Sequence, residues 1–404
     1  NSFRTKGSIA RGLNMSLFLV TLPRATQEGQ QQRSDKEIIS VMEQLYSTFT
    51  NIHSKGWNKF LYGEPYIALE MAVHHVGEQI HFYIATPRSF EQIFEKQVHG
   101  LFPLAEVAKI KDYSIFNPKG AVAGDFLMFK ADQILPFKTY TKLESDPLGI
   151  LSNALSKLEY EGEGASIQIL IRPSHQEKIK DFAKKVSKEM QGGSDFKRAL
   201  SLAKMSKKPE LTEEEKKNPP SHSVSPSDDE IIKSLQTKSS KPLFDTNIRI
   251  LVSAQEKNRA NMLLEDISNA FVQFSSPDLN EFKVNKVDGR SLEKLIFNYA
   301  FRLFNGDQIN YLSSEEITSL YHFPVTTAIM PRVKFSEFKT AEAPANLPAE
   351  GIIIGESAFR GRKNLVRMTE EDRRRHLYII GQTGTGKTNI MKAMVRQDIE
   401  QPLF

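Results

Sequence analysis

The stretch that most limits how this chain can fold is a glycine-rich octapeptide near the C-terminal end of its numbering. It consists of Gly381, Gln382, Thr383, Gly384, Thr385, Gly386, Lys387 and Thr388. It fits the phosphate-binding loop pattern of Gly, any four residues, Gly-Lys, and then Ser or Thr. Such a loop lies between a strand and a helix. The apolar run at residues 376–380 predicts a short buried strand, and residues 389–395 have helical apolar spacing.

The chemistry of this loop follows from its residue types. Glycines let the main chain approach a phosphate closely, and the loop N–H groups and the positive end of the next helix face the anion. Lys387 is the predicted catalytic residue, expected to contact the β- and γ-phosphates, and the Thr388 hydroxyl is expected to bind Mg²⁺. ATP and magnesium are therefore the predicted cofactors. The alternative is a glycine-rich turn that binds nothing, which the flanking elements disfavour.

Composition sets broad limits on the rest of the chain. The 404 residues are enough for two to four domains, and 39% hydrophobic residues can form ordinary cores. The net charge of +5 suits a nucleic acid or an anionic membrane surface, but it is too small to decide between them. The absence of cysteine excludes disulfides, thiolate metal sites and cysteine nucleophiles. No apolar run approaches the ~20 residues of a membrane-spanning helix, and there is no signal-peptide pattern.

Residues 1–142 are predicted to form an N-terminal α+β domain. Ser34 and Asp35 are typical of a helix start, and the elements alternate as βαββαβ, which suggests a ferredoxin-like unit. The predicted strands are 15–22, 66–73, 79–85 and 104–109, and the predicted helices are 34–49 and 90–98. The basic residues 1–14 are interpreted as a frayed terminus in preference to a juxtamembrane segment.

Three histidines, His74, His75 and His81, lie around the predicted hairpin of this domain. Neighbouring residues in a regular strand point to opposite faces, so His74 and His75 cannot grip one metal ion together. Ordinary polar strand positions are therefore favoured over a metal site.

Residues 143–340 are predicted to form a second α+β domain, split by an insertion at about residues 207–243. The insertion is rich in Lys, Glu, Ser and Pro and is predicted to be disordered. Predicted elements are helices at 148–158, 176–190, 256–274 and 312–322, and strands at 165–172, 247–252 and 282–284. The lysines of the second helix are Lys178, Lys180, Lys184, Lys185 and Lys188. They can contact nucleic acid, but a solvated helix face is the favoured interpretation.

Residues 341–404 are predicted to begin a P-loop ATPase domain, after an Ala- and Pro-rich linker at 341–348. Gly351 to Gly355 and Lys363 to Met368 are predicted to form an antiparallel strand pair. The arginines Arg373, Arg374 and Arg375 either contact a nucleotide or a DNA backbone, or belong to a charged surface turn, and the sequence favours neither.

At this point the residues resemble a known group. Gly351 to Gly355, Val366 and the run Arg375 to Thr388 are similar to the entry of the motor domain in HerA/FtsK-like ATPases, and closest to the conjugation and type IV secretion group. Tyr311 to Pro324 is similar to the segment before that motor. The well-defined resemblance spans Tyr311 to Val395, and the N-terminal region matches the family's accessory domain only in its order of elements.

The resemblance implies an ATP-driven motor, expected to be a homo-hexamer, that moves DNA or protein through a secretion channel. Its partners would be DNA, secretion-system components or both. Its expected location is the cytoplasm, at the inner face of the membrane if a missing N-terminal anchor precedes Asn1. The acidic strand end (Walker B), sensor glutamine and arginine finger of the family would follow Phe404, so this fragment is expected to be inactive alone.

Two alternatives stay open: a nucleotide-binding scaffold component of a secretion apparatus, and a HerA-like DNA-processing ATPase. A motor needs an acidic pair at the end of its second strand and a scaffold does not, so downstream residues distinguish these two. An upstream membrane anchor would favour secretion over DNA repair.

Overall fold

The computed structural model is a mixed α+β protein with a large antiparallel sheet. It describes residues 9–23, 34–52, 64–74, 79–174, 177–204, 225–324, 330, 332–336, 343–344, 346–359, 362–382 and 384–400. It divides into two compact units, Asn1–Glu337 and Phe338–Phe404. None of the helices in these ranges is long and apolar enough to cross a membrane.

The first unit is built on a nine-stranded sheet whose strand pairings are antiparallel. Its strands are β1 (Met15–Thr21), β2 (Ile67–Val73), β3 (His81–Pro87), β4 (Glu106–Ile110), β5 (Ala121–Phe129), β6 (Gly164–Pro173), β7 (Leu243–Ala254), β8 (Phe282–Lys286) and β9 (Asn310–Ser313).

The helices of this unit connect the strands. They are α1 (Asp35–Phe49), α2 (Glu91–Leu101), α3 (Pro147–Leu155), α4 (Glu177–Gln191), α5 (Phe196–Lys204), α6 (Pro226–Ser240), α7 (Lys257–Asn269), α8 (Gly289–Ala300) and α9 (Ser314–Leu320). Two short 3-10 turns cover Arg88–Phe90 and Ala270–Phe274, and residues 9–13 are also helical.

The order of strands in the sheet is palindromic. It runs β4-β1-β3-β2-β6-β7-β5-β8, with β9 paired to β7. Numbered within its own half, each set of four strands has the spatial order 4-1-3-2, and the two halves meet along their second strands, β2 and β6. At this seam Ile67 lies opposite Ile171 and Val73 opposite Ala165. The sheet is therefore continuous across both halves.

Alternation along the strands supplies two apolar layers. In β2, Leu69 and Met71 belong to the main core, which packs under α1, α2, α3, α7 and α9, whereas Ala68 and Ala72 face the second layer. That second layer is covered in part by α8 through Leu295. Because both faces of the sheet are covered, every residue of the central strands β2 and β7 is buried, and exposed and buried residues do not alternate along them.

The predicted start of α1 is confirmed. The Ser34 side chain accepts a hydrogen bond from the Glu37 N–H, and the Glu37 side chain accepts one from the Ser34 N–H, which is a complete capping box. The predicted helix at 312–322 is confirmed in the same way, since Ser313 and Glu316 form a capping box at the start of α9.

The prediction of disorder at 207–243 is wrong for its second half. Pro226–Ser240 is helix α6, capped by Ser225 with Asp228 and buried along Ile231, Ile232 and Leu235. The average composition of the insertion concealed this capping box and its apolar spacing. Residues 207–224 lie outside the described ranges. Helices α4, α5 and α6 share a small core with Ile134 and Leu135, and we call the three helices together the helical lobe.

Strand β5 was not predicted, and within the described ranges it pairs with β7 and β8 alone. The sheet therefore groups Ala121–Phe129 with the later half of the unit, although the predicted first domain extends to residue 142. The two halves of the sheet lie in one compact unit, Asn1–Glu337. The finer division into domains 1–142 and 143–340 stays a prediction.

The described residues of the second unit form a strand pair and two helices. Strands β10 (Ile352–Phe359) and β11 (Arg362–Met368) are antiparallel, as predicted, with a register shift between Ile353 and Gly355. Helix α10 spans Glu370–Arg373 and helix α11 spans Lys387–Glu400.

Candidate functional site

The glycine-rich loop leads directly into helix α11, so that Lys387 and Thr388 are the first two residues of the helix. Gly384 and Gly386 have φ angles of 85° and 90°, in the left-handed region that residues with a Cβ avoid. These angles turn the chain sharply before the helix. The first backbone N–H groups of any helix have no acceptor within it, so this turn leaves donors facing the loop.

A side-chain hydrogen bond closes the loop. The Thr385 hydroxyl donates to the Gln382 carbonyl at 2.7 Å. A Cβ added to Gly381 would lie 2.6 Å from the Thr385 hydroxyl oxygen, so a larger residue at this position would disturb that closure. Thr383 lies outside the described residues. The other loop residues Gly381, Gln382, Gly384, Thr385 and Gly386 are exposed and accessible to a ligand.

The Lys387 amino group bends back over the loop. It donates to the carbonyls of Gly381 at 2.5 Å and of Gln382 at 2.7 Å. A cation held by two neutral carbonyls can exchange them for an anion, because charge-assisted hydrogen bonds are stronger than neutral ones. The Thr388 side chain is exposed at the start of the helix. Within the described residues, no group of three or more His, Asp and Glu side chains could hold a metal ion.

The predicted strand before the loop is not present. Residues 376–380 form no strand, and the side chains of Tyr378 and Ile380 are 85% and 81% exposed. A buried parallel strand requires neighbours on both edges and cover on both faces. Among the described residues of this unit, no strand lies beside 376–380, and the apolar run is left uncovered.

Helix α11 follows the predicted spacing, but its apolar side chains are open. Met391, Val395 and Ile399 recur every four residues and are all exposed. They line a shallow hollow of about 490 Å³ on the helix surface. Within the described part of this unit, nothing covers this side of the helix.

The end of α11 farther from the loop is fixed to its neighbours. The Gln397 side chain donates to the Ile353 carbonyl and accepts from the Ile353 N–H, both at 2.8 Å, and so takes the place of a strand neighbour for β10. Arg373 of α10 makes a bidentate ion pair with Asp398. These contacts hold the helix that carries the loop.

The three arginines therefore have partners inside the unit. Besides Arg373, Arg374 pairs with Glu370 at 2.6 Å and Arg375 with Glu371 at 3.7 Å, each across one helical turn. The geometry favours the charged-turn interpretation of these arginines. The bidentate pair of Arg373 with Asp398 is the part that sequence spacing does not reveal.

His74, which follows β2, and His81, the first residue of β3, belong to an aromatic stack. The His74 ring stacks on Tyr113 at 4.8 Å and on His81 at 5.1 Å between centroids, and its Nε2 lies 2.9 Å from the Tyr83 hydroxyl. Burial, and then the neighbouring His74, lower the pKa of His81 to about 4. His75 lies outside the described residues.

Sequence reasoning missed a buried polar network beside the seam between the two halves. Arg302 contacts the buried Glu70 at 2.9 Å and Asp112 at 2.8 Å. Gln168, which donates to Glu70 at 2.7 Å, also accepts from the fully buried Arg249 at 3.1 Å. Opposite charges and neutral acceptors satisfy most polar atoms of these side chains, which fits a structural role at the seam, and among the described residues only Arg249 Nε of this network has no hydrogen-bond partner. No sequence pattern signals it, because its members lie far apart along the chain.

The fold and loop thus define a mixed α+β protein that carries a glycine-rich turn at the start of a helix. Residues 30–334 match the model of a family described as a domain of unknown function, DUF8128. The match covers about three-quarters of the chain, and the chain belongs to this family. No curated protein matches it. The matched residues end before the second unit, so the family assignment concerns the sheet and the helical lobe, and the loop is judged on its geometry alone.

Proposed function

We propose that this chain is the N-terminal part of an ATP-driven motor that translocates DNA or protein, of the HerA/FtsK-like group that serves conjugation and type IV secretion. The observation that carries the proposal is the loop before α11. Gly384 and Gly386 adopt left-handed backbone angles, and the Lys387 amino group lies over two loop carbonyls. These features combine a helix N-terminus, whose first N–H groups have no acceptor within the helix, and a cation on one exposed turn.

The residues of the loop fit a nucleotide phosphate chain with magnesium. Backbone N–H groups from Gly384 to Thr388 would bind the phosphate oxygens, Lys387 would move from the carbonyls to the β- and γ-phosphates, and the Thr388 hydroxyl would contact the metal ion. Bound Mg-ATP would supply the energy of phosphoryl transfer. The chain's own residues bind and orient the phosphates, which requires no side chain outside the loop.

The proposal extends to the folds of both units. The βαββαβ order and the 4-1-3-2 strand order of each half support two ferredoxin-like units joined along β2 and β6. The loop and α11 support the beginning of an α/β P-loop NTPase domain in the second unit. In the full-length protein we propose a homo-hexamer in the cytoplasm, at the inner face of the membrane, with DNA or secretion components as partners.

Equilibrium binding of a fluorescent ADP analogue in the presence of Mg²⁺ tests the proposal. The Lys387→Ala variant should bind at least ~10-fold more weakly, because a charge-assisted contact contributes ~1.5–3 kcal/mol. Lys392→Ala removes an exposed lysine from the same helix and should leave the affinity unchanged. Failure of the unsubstituted chain to bind up to ~1 mM nucleotide, or equal losses in both variants, would overturn the proposal.

Nucleotide binding and ATP hydrolysis can be measured separately on the same protein. Hydrolysis needs a positioned water and charge stabilisation from residues outside the loop. We therefore expect nucleotide binding without measurable phosphate release from this chain alone. Phosphate release that Lys387→Ala abolishes would show that the chain holds a complete catalytic site.

A further inference from the structure

We propose that the solvent face of helices α4 and α5 in the helical lobe is a docking surface for the phosphate backbone of a nucleic acid. The inference goes beyond the proposed function, because it depends on the charge of the lobe and not on the nucleotide loop. The two can therefore fail separately.

The helical lobe is inserted between two strands that a short turn could connect. Strands β6 and β7 are antiparallel neighbours, and Pro173 at the end of β6 is paired with Phe244 at the start of β7. Two such strands can be joined by a two-residue hairpin. Here residues 174–242 intervene instead, and their described helices α4, α5 and α6 share a small core with Ile134 and Leu135. A folded insertion at this point calls for a role other than connecting the strands.

Helices α4 and α5 of the lobe carry an excess of positive charge. Residues 177–204 contain eight Lys and Arg against four Asp and Glu, a net charge of +4 out of +5 for the whole chain. Glu177 and Asp181 are also exposed on α4, and the remaining excess of positive charge raises the local concentration of an oppositely charged partner. The charge balance of the whole chain conceals this excess.

The lysines of α4 are available for a partner. Ala183, Val186 and Met190 lie on the buried side of the helix, and helical periodicity turns the lysines to the other side. Lys178, Lys184, Lys185 and Lys188 are exposed, and so is Lys197 on α5. Within the described residues none of these five makes an ion pair.

Ion pairs hold the lobe, and with it this basic surface, in a fixed position. The Lys238 amine of α6 is buried against Glu316 of α9 at 3.1 Å, and Lys241 pairs with Glu43 at 2.8 Å and Glu315 at 2.5 Å. A preorganised basic surface loses less conformational entropy on binding than a flexible basic tail does.

The surface fits a phosphate backbone better than a lipid bilayer. Helices that lie in a membrane surface insert large apolar side chains. The apolar side of α4 is used in the core of the lobe, and no described residue of α4 or α5 is a large exposed hydrophobic. From Lys178 to Lys188 the helix rises ~15 Å, which corresponds to roughly four phosphates along one strand of a duplex.

The test measures fluorescence anisotropy of a labelled duplex of about 30 base pairs with the full chain, without nucleotide, at NaCl from about 50 to 200 mM. The triple variant Lys184→Gln/Lys185→Gln/Lys188→Gln should lower the affinity ~10-fold or more, and reduce the slope of log K against log [salt] by ~2–3. The matched control is Lys257→Gln/Lys283→Gln/Lys294→Gln, which removes three exposed lysines outside the lobe. It should change the affinity less than ~2-fold.

Three outcomes would overturn the inference: no binding of DNA by the unsubstituted chain at low salt, equal losses in the lobe and control variants, or lobe-dependent binding of phosphatidylserine vesicles with DNA binding unaffected. The Lys387→Ala variant should bind DNA as the unsubstituted chain does, which separates this inference from the nucleotide site. Circular dichroism of the triple variants confirms that they remain folded.

Discussion

The buried ion pair between Lys238 of the lobe and Glu316 of helix α9 leads to a quantitative prediction about Lys238→Met. The Lys238 and Glu316 side chains are 3% and 0% exposed. The Lys238 amine also donates to the carbonyls of Gln133 at 3.0 Å and Leu135 at 3.4 Å. Burial raises the pKa of Glu316 and lowers the pKa of Lys238, so each charge depends on its partner to stay ionised.

Removing the amine leaves a carboxylate buried without its cation, which costs ~3–5 kcal/mol. At a urea slope of ~3 kcal/mol/M, the unfolding midpoint should fall by ~1–1.7 M. The measurement is urea unfolding followed by far-ultraviolet circular dichroism at pH 7. The deficit should shrink as the pH falls, because the uncompensated Glu316 carboxyl, with its raised pKa, becomes neutral in the folded protein.

Two further variants make the result decisive. Lys233→Met removes an exposed lysine from the same helix and should cost less than ~0.5 kcal/mol. Lys238→Met/Glu316→Gln removes both charges and keeps an oxygen that can accept from the Ser313 N–H, so it should recover most of the loss. If Lys238→Met were no more destabilising than Lys233→Met, the lobe would not be held by this pair and the reasoning would be refuted.

For two other perturbations the structure gives the direction of the change, in stability for the first and in nucleotide affinity for the second. The unfolded chain binds a proton at His81 near pH ~6.5 and the folded chain only near pH 4, so its contribution to stability is present above ~6.5 and is lost as the pH falls through this window. Partial exposure of the ring limits the loss to ~1–2 kcal/mol. Urea unfolding at two pH values should show a smaller difference for His81→Gln, and an unchanged difference would assign the effect elsewhere. Gly386→Ala places a Cβ at φ 90°, which costs ~1–2 kcal/mol locally and should weaken nucleotide binding. Gly355→Ala is the control, because an added methyl there meets no atom within 4 Å and no left-handed φ is involved; equal nucleotide affinities of the two variants would contradict the role of the turn.

Local signals in the sequence predicted many of the elements. The helix start at Ser34 and the helix at 312–322 were predicted, and the structure shows a capping box at the start of each, in which a side chain that satisfies an open N–H lies only three residues from its partner. The glycine-rich loop was placed before a helix for a similar reason. The pattern Gly-x-x-x-x-Gly-Lys-Thr specifies backbone angles and a helix start within eight residues.

The average composition of a segment was less informative than an individual capping residue. The helix Pro226–Ser240 was predicted as part of a disordered insertion, although Ser225 and Asp228 form a capping box at its start. The strand Ala121–Phe129 was not predicted, because its mixture of small, apolar and acidic residues has no clear period of two. The run at 376–380 was predicted as a buried strand from its apolar character alone, and no described strand lies beside it.

The sequence by itself determined the glycine-rich turn before a helix, the starts of α1 and α9 and the βαββαβ order of the first half, since each depends on residues close together along the chain. Only the tertiary structure decided that β2 pairs with β6, that Arg302 reaches Glu70 across the sheet, and that Lys238 is buried against Glu316. These contacts join residues about 80 to 230 positions apart. Their partners are selected by burial and by the need to compensate buried charge, and neither leaves a periodic signal in the sequence.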